Sequence, residues 1–160
     1  KQVQRAEKLI TESLAAGAVL VAGGKSPMGD GYFFEPTILL APSAELPCAR
    51  EEFFGPVLSV LKFNTEDEAV ALANGTAYAF AAGIFTQNLG RAHRLTKKIR
   101  AGVVWVNSYR AVSPIVPFGG NGYTGYGRES GLDAIRDYTR TKSIWINTSD
   151  APMADPFVMR

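Results

Sequence analysis

The sequence is poor in the two residue types that build disulfides and most metal sites, with one cysteine and one histidine in 160 residues. A single thiol cannot form an internal disulfide, and these two side chains together supply too few ligands for an ordinary zinc site. We therefore predict no metal centre, and the scarcity of cysteine favours a reducing, cytoplasmic setting.

An excess of one charge and a long apolar run are also lacking. Seventeen basic and 15 acidic residues give a net charge of +2, which provides no strong field to attract nucleic acid or a membrane surface. No apolar run approaches the length of a membrane span, and the N-terminus shows no signal-peptide pattern. The chain opens without Met, inside an apparent amphipathic helix, so we expect a piece of a larger protein.

What is present is an alternation of strand and helix patterns. Apolar residues at helical spacing from Val3 to Leu14, followed by Gly17, predict a first helix, and Thr65 with Glu68 forms a capping box for another. Further helices are predicted over NLGRAHRLTKKIR and from about Glu129 to Tyr138. The predicted strands are AVLVAGG (buried), YFFEPTILLA, GPVLSVLKF, AAGIFT, GVVWVN and TKSIWINT. This order predicts an α/β fold in which helices flank a layered parallel sheet.

Six glycines lie within residues 117–131, PFGGNGYTGYGRESG. Gly120, Gly122 and Gly125 match the G-x-G-x-x-G spelling of a dinucleotide-binding loop. The match is weak, because a long loop separates it from the preceding strand and no acidic residue follows at the expected distance. The alternative is a tight loop in which glycine lets two backbone segments pack closely.

Two features with possible chemistry have simpler structural interpretations. Cys48, with Arg50 nearby, could be a nucleophile, but His93 is its only possible imidazole partner and lies on a cationic helix; a structural thiol is favoured. The basic side of that helix could face an anionic partner, but its apolar side suits packing on a sheet, which leaves the basic side in water. Its cationic residues are Arg91, Arg94, Lys97, Lys98 and Arg100.

The pair Glu51 and Glu52 precedes Phe53-Phe54-Gly-Pro. A carboxylate ahead of an aromatic residue and a Gly-Pro turn could accept hydrogen bonds from ribose hydroxyls while the ring packs beside a flat cofactor ring. Physical reasoning alone favours a plain acidic pair at a helix end before a strand.

Four ordered segments, EEFFGPVLSV, GVVWVNSY, PFGG and GYGRESG, together with YFFEPTIL, resemble the C-terminal part of the aldehyde dehydrogenase superfamily. The resemblance extends from the first helix to about Ile146. It implies NAD- or NADP-dependent oxidation of a small-molecule aldehyde to a carboxylic acid through a cysteine thiohemiacetal and thioester. It also implies a catalytic-domain part over residues 1–140, an oligomerisation strand and tail over residues 141–160, and a homo-oligomer, either a dimer or a tetramer.

The resemblance implies roles for individual residues. Glu52 matches a residue on the nicotinamide ribose and Phe54 one beside the nicotinamide ring, so both would bind cofactor. Tyr109, Val112 and Phe118 match the loop that helps to line the aldehyde tunnel, and these would contact substrate.

Glu129 matches a buried glutamate of a proton relay, and Arg128 beside it would anchor local structure or an interface. Gly122 stands where the family commonly has lysine, and Thr124 where serine is common. The lost lysine leaves the order of this loop in question.

The family's nucleophile lies upstream of the matched region, and Cys48 does not match its place. We therefore expect the chain alone to be inactive. The alternative is a non-catalytic oligomerisation or binding module derived from the same fold. A nucleic-acid-binding module that uses the basic helix would require strongly salt-dependent binding.

Overall fold

The computed structural model describes residues 1–27, 31–153, 155 and 157–158. It contains helices and short strands in alternation, which confirms the α/β class. The helices are α1 (Gln2–Ala15), α2 (Pro47–Arg50), α3 (Glu66–Asn74), α4 (Leu89–Lys98) and α5 (Asp133–Asp137). The strands are β1 (Val19–Ala22), β2 (Thr37–Leu40), β3 (Val57–Val60), β4 (Tyr78–Ala79), β5 (Ala81–Ile84), β6 (Val103–Val106) and β7 (Asn121–Gly122).

In the N-terminal half, α1 and α2 share a core with a three-stranded sheet in the order β1-β2-β3. β2 and β3 are parallel and in register from Thr37 with Val57, whereas β1 joins β2 antiparallel. α1 ends as its sequence predicts, because Gly17 adopts a φ of 103° in which a side chain would be strained. The buried core of this half consists of Ala6, Leu9, Ile10, Ala18, Leu39, Ala41, Leu46, Cys48 and Phe53.

The C-terminal half is built around the parallel pair β5 and β6, with α4 as the crossover between them. The side chain of Asn107 extends the hydrogen bonding between these two strands by one residue. Its amide NH₂ donates to the Thr86 carbonyl at 2.8 Å, and its amide oxygen accepts the Thr86 N–H at 2.9 Å. Asn107 has a φ of 51°, a left-handed conformation that asparagine tolerates better than most residues. The amide thus continues the β-ladder at the point where the chain turns away from the sheet.

The capping signal at α3 is confirmed. The Thr65 hydroxyl accepts the Glu68 N–H at 3.2 Å, and the Glu68 carboxylate accepts the Asn64 N–H at 2.7 Å. The helix begins at Glu66, one residue after this cap, as the sequence predicts.

The basic side of α4 is paired with acidic residues of α3. Glu66 accepts from Arg91 at 3.3 Å and from Arg94 at 3.1 Å, and Lys98 contacts Asp67 at 2.8 Å. The Arg94 hydrogen bond is the main reason that the pKa of Glu66 lies below its ordinary value, and the bond to Asp67 raises the pKa of Lys98. These contacts support the interpretation of α4 as a packed helix and leave its arginines less available to an anionic partner.

Among the described residues the parallel strands form two pairs, β2–β3 and β5–β6, in two of three small sheets. Three expectations about regular structure need correction. β1 was expected to be buried, but all four of its residues are exposed because it is an edge strand. The helix expected from Glu129 to Tyr138 is limited to α5. The C-terminal strand is not formed, since no strand lies within residues 141–150 and the exposed fractions of Ile144 and Trp145 are 68% and 95%. A strand needs a hydrogen-bonding partner, and the described residues offer none to this segment.

Candidate functional site

The acidic-aromatic motif forms a short loop between α2 and β3. Phe53 is 6% exposed and packs in the core, whereas the next ring, Phe54, is 72% exposed. Phe54 has a φ of 50°, an uncommon backbone conformation for a bulky residue. The loop therefore anchors one ring and presents the other on the surface beside Glu52, which is also exposed.

An arginine from α1 holds this loop. The Arg5 guanidinium donates to the Glu51 carboxylate at 3.2 Å and to the Glu52 carbonyl at 3.2 Å. The Glu52 carboxylate itself has no hydrogen-bond partner within the described ranges, so both of its oxygens can accept from a ligand. Sequence reasoning missed Arg5, because nothing local in α1 indicates a contact with a loop far along the chain.

The three residues predicted on the substrate side come together in one cleft. Tyr109, Val112 and Phe118 all line a cleft of about 810 Å³ beside β5 and β6. Trp105, which the sequence analysis did not select, organises the cleft: its indole N–H donates to the Ala111 carbonyl at 2.8 Å, and its ring meets Tyr109 edge-on at 5.8 Å between centroids. On the other wall, Phe118 packs edge-on against Phe80 at 5.1 Å.

Glu129 is placed next to this cleft but is not buried. Its backbone pairs with that of Phe118 through two hydrogen bonds of 2.7 Å, and it lines a smaller cleft of about 350 Å³ with Phe118 and Arg128. Its side chain is exposed, which differs from the burial that the resemblance implied. Phe80 and Phe118 line both clefts, and Asp137 of α5 also lines the smaller one.

Arg128 anchors the glycine-rich loop from inside, as predicted. Its guanidinium donates to the carbonyls of Gly120 and Gly127, both at 2.7 Å, and to Asn121 Oδ1 at 2.8 Å. Three contacts to one loop stabilise a backbone that glycine alone would leave mobile. The loop is therefore bonded to Arg128 at three points although it lacks the common lysine.

Close packing explains why glycine occupies two positions, one in the loop and one in the segment on which the loop packs. A methyl group on Gly102, just before β6, would overlap the Gly119 carbonyl oxygen, and one on Gly120 would lie 2.7 Å from Thr124 Cβ. Thr124 uses its hydroxyl to accept the Ala79 N–H at 2.9 Å. The loop is thus pressed against β4 and the start of β6, as the alternative to a phosphate loop predicts.

Three successive N–H groups in the G-x-G-x-x-G stretch are engaged within the protein. The N–H groups of Tyr123, Thr124 and Gly125 donate to the carbonyls of Ala77, Asn121 and Gly122 at 3.3, 3.3 and 3.1 Å. A phosphate cradle requires such groups to point at a ligand. The geometry therefore argues against the dinucleotide-loop interpretation of G-x-G-x-x-G.

Gly122 is held in the antiparallel pair β4–β7 opposite Tyr78, with a φ of 62°. An added Cβ would lie 3.0 Å from the Ala77 carbonyl oxygen. Restoring the common lysine by Gly122→Lys is therefore expected to destabilise the protein by about 1–3 kcal/mol. Thermal unfolding of the variant measures this, with Gly122→Asn as a control whose side chain tolerates the left-handed region better. An unchanged or higher melting temperature for Gly122→Lys would contradict the strain argument.

Cys48 lies in the core and not in either cleft. It is 4% exposed and packs among the apolar residues between α1 and β2. A buried thiol in apolar surroundings is chemically inert. Its placement supports the structural interpretation made from the sequence.

None of the helices in the described ranges is long and apolar enough for a bilayer crossing. Across the same ranges no three His, Cys, Asp or Glu side chains are grouped so that they could hold a metal ion.

Comparison with known proteins defines the class. The model of the aldehyde dehydrogenase family matches residues 1–144, so the chain belongs to the aldehyde dehydrogenase family. All of it aligns at 50% identity with 33% of a (Z)-2-((N-methylformamido)methylene)-5-hydroxybutyrolactone dehydrogenase of Acinetobacter baylyi. A betaine aldehyde dehydrogenase of Mesorhizobium japonicum is 44% identical over 88% of the chain and 29% of the relative.

Solved structures agree with this assignment. PnpE from Pseudomonas sp. WBC-3, in complex with nicotinamide adenine dinucleotide, superposes with a TM-score of 0.86 at 42% identity, over 98% of this chain and 32% of that one. An indole-3-acetaldehyde dehydrogenase complexed with NAD+ gives a TM-score of 0.85 at 44% identity, over 91% of this chain and 30% of the other. The chain thus spans about a third of the length of the relatives it matches.

Proposed function

We propose that the chain forms the C-terminal part of an NAD- or NADP-dependent dehydrogenase that oxidises an aldehyde to a carboxylic acid. Membership of the family and the printed names of its relatives support this activity. The observation that carries the proposal is the presence of two surface features on one chain. Glu52 and Phe54 lie side by side on the surface, and a separate, mainly apolar cleft is lined by Tyr109, Val112 and Phe118. A cofactor side and a substrate side on one chain are what an oxidation of this type needs.

The exposed residues of the motif loop fit a nicotinamide nucleotide. The Glu52 carboxylate would accept hydrogen bonds from ribose hydroxyls, and the Phe54 ring would pack beside the nicotinamide ring. Arg5 would hold both in place through the loop backbone. When bound, the cofactor supplies the acceptor for the hydride that leaves the aldehyde carbon.

The cleft would bind the aldehyde through its apolar walls, with the Trp105 hydrogen bond fixing the loop that carries Tyr109 and Val112. Glu129, on the other side of Phe118, would hold or pass a proton when the rest of the protein covers it. The nucleophilic cysteine would come from outside this chain, because Cys48 is buried in the core.

The exposed apolar residues that follow residue 140 would complete an oligomer. Ile144, Trp145 and Ile146 have exposed fractions of 68, 95 and 79%, and such a row of apolar side chains is what a strand partner in a homodimer or homotetramer would bury. The protein would act in the cytoplasm on a small aldehyde, without nucleic acid or membrane partners. The alternative is a non-catalytic binding or oligomerisation module. For this chain by itself, the burial of its single thiol, Cys48, favours that alternative.

The direct test compares the full-length protein with this chain alone. With a panel of aldehydes and NAD or NADP, the full-length protein is expected to give a rise in absorbance from reduced cofactor, and the isolated chain none. Turnover by the isolated chain that disappears in Cys48→Ser would overturn the assignment of the nucleophile. Cofactor binding without turnover by the full-length protein would support the non-catalytic module instead.

A further inference from the structure

The charge of the 810 Å³ cleft is one-sided. Two of its lining residues are arginines, Arg100 and Arg110, and none of the described residues that line it is acidic. The remaining lining residues are apolar or neutral polar. A cleft of this kind favours a ligand that is apolar along its length and negative at one end.

The two arginines differ in what they can do. Arg100 is already engaged, since its guanidinium donates to the carbonyls of Asn74 at 3.2 Å and Thr76 at 2.8 Å. Arg110 forms neither a side-chain hydrogen bond nor an ion pair with any residue in the described ranges. Its five N–H donors are therefore available to a ligand.

The backbone of Arg110, whose side chain is exposed, is held by contacts of its two neighbours. It lies between Tyr109, whose ring packs on Trp105, and Ala111, whose carbonyl accepts the Trp105 indole N–H at 2.8 Å. Its own φ is 58°, a conformation that an unsupported arginine rarely adopts. Backbone in a sparsely populated conformation and held from both sides is typical of a functional position.

We propose that Arg110 is a specificity residue that selects aldehydes bearing a carboxylate at the end remote from the carbonyl. This inference rests on the proposed aldehyde dehydrogenase activity and adds the substrate class. The guanidinium would bind the carboxylate through paired hydrogen bonds while Val112 and Phe118 contact the hydrocarbon between the two ends. An aldehyde with a quaternary ammonium group would meet a like charge and be disfavoured.

The test measures kcat/KM of the full-length protein for three aldehydes of similar size and different charge: 4-oxobutanoate, butanal and betaine aldehyde. The ratio of kcat/KM for 4-oxobutanoate to that for butanal is the readout, because each enzyme is then its own reference. In Arg110→Gln this ratio is expected to fall about ten- to a hundredfold, the effect of losing a hydrogen-bonded charge pair. Arg110→Lys keeps the charge without the planar fork and is expected to retain part of the ratio.

A matched control and the salt dependence separate this role from a structural one. Arg140→Gln, an exposed arginine outside the cleft, is expected to leave the ratio within about twofold of the wild type. The ratio of the wild type is expected to fall as salt rises, and that of Arg110→Gln to respond less. A loop that merely lost its order would lower both rates and would not produce this difference.

The outcomes distinguish the two proposals. If butanal is oxidised but the ratio is the same in the wild type and Arg110→Gln, the substrate assignment is wrong and the dehydrogenase activity stands. The same holds if betaine aldehyde is preferred to 4-oxobutanoate by the wild type. If the full-length protein oxidises none of the three, the proposed function fails and this inference with it.

Discussion

Gly102→Ala is expected to abolish stable folding of the C-terminal half. The added methyl group would overlap the Gly119 carbonyl oxygen, and it would also lie 2.8 Å from the Gly119 carbonyl carbon and 3.0 Å from Gly120 Cα. These are backbone atoms, and the neighbouring Gly120 carbonyl is held by Arg128 at 2.7 Å, so they cannot move aside without breaking other bonds. We expect a loss of stability of about 3 kcal/mol or more, measured by thermal or urea unfolding of the full-length protein.

Gly83→Ala provides the matched control for this substitution. Gly83 lies in the strand that pairs with β6, and among the described residues an added Cβ would meet only Phe85 Cε2, at 3.8 Å, an ordinary van der Waals contact. Its effect is expected to remain within about 0.5 kcal/mol. A melting temperature of Gly102→Ala within about 2 °C of the wild type would show that the loop yields more easily than its contacts indicate.

Glu52→Gln is expected to produce the largest loss of activity without loss of folding. The substitution keeps the shape of the side chain and removes the charge that would accept from the ribose hydroxyls. Because a hydrogen bond to a charged group is worth about 1.5–3 kcal/mol, hydride transfer in the full-length protein should slow about ten- to a hundredfold. Single-turnover formation of reduced cofactor by stopped flow measures this step, and titration of the cofactor measures its affinity.

The neighbouring carboxylate offers the control. Glu51→Gln removes the partner of Arg5, but the bond from Arg5 to the Glu52 carbonyl remains, so a smaller effect is expected. If Glu52→Gln leaves both cofactor affinity and the single-turnover rate unchanged, Glu52 does not bind the cofactor. Equal effects of the two substitutions would instead indicate that the loop geometry, and not the Glu52 charge, is what matters.

Local signals in the sequence predicted the elements whose ends depend on a few neighbouring residues. The Gly17 stop of α1 and the Thr65 cap of α3 are of this kind, since each acts through hydrogen bonds to residues three or four positions away. The exposure of β1 and the absence of a strand at Ile144 were not predicted. Both depend on which chain segments lie alongside, and an alternating or apolar pattern carries no information about that.

In the candidate site, too, residues within a motif were predicted and residues that act through distant contacts were not. The positions of Glu52, Phe54 and Tyr109 were reached through motifs, and their roles in a reaction stay predictions. Arg5 and Trp105 were missed, because a side chain that donates to a distant backbone carbonyl leaves neither a period nor a spacing in the sequence. The resemblance also implied that Glu129 is buried, whereas its side chain is exposed in this structure. Burial depends on all the segments that pack around a residue, and the motif does not specify them.

The half-buried Trp105 gives the cleft its own optical reporter. Only one other tryptophan is present, Trp145, and at 95% exposure it emits from an aqueous environment. In a Trp145→Phe background, the remaining tryptophan fluorescence of the chain comes from the indole that is bonded to the Ala111 carbonyl and packed on Tyr109. Changes in the loop that carries Tyr109 and Ala111 can therefore be followed by fluorescence without attaching a dye to the molecule.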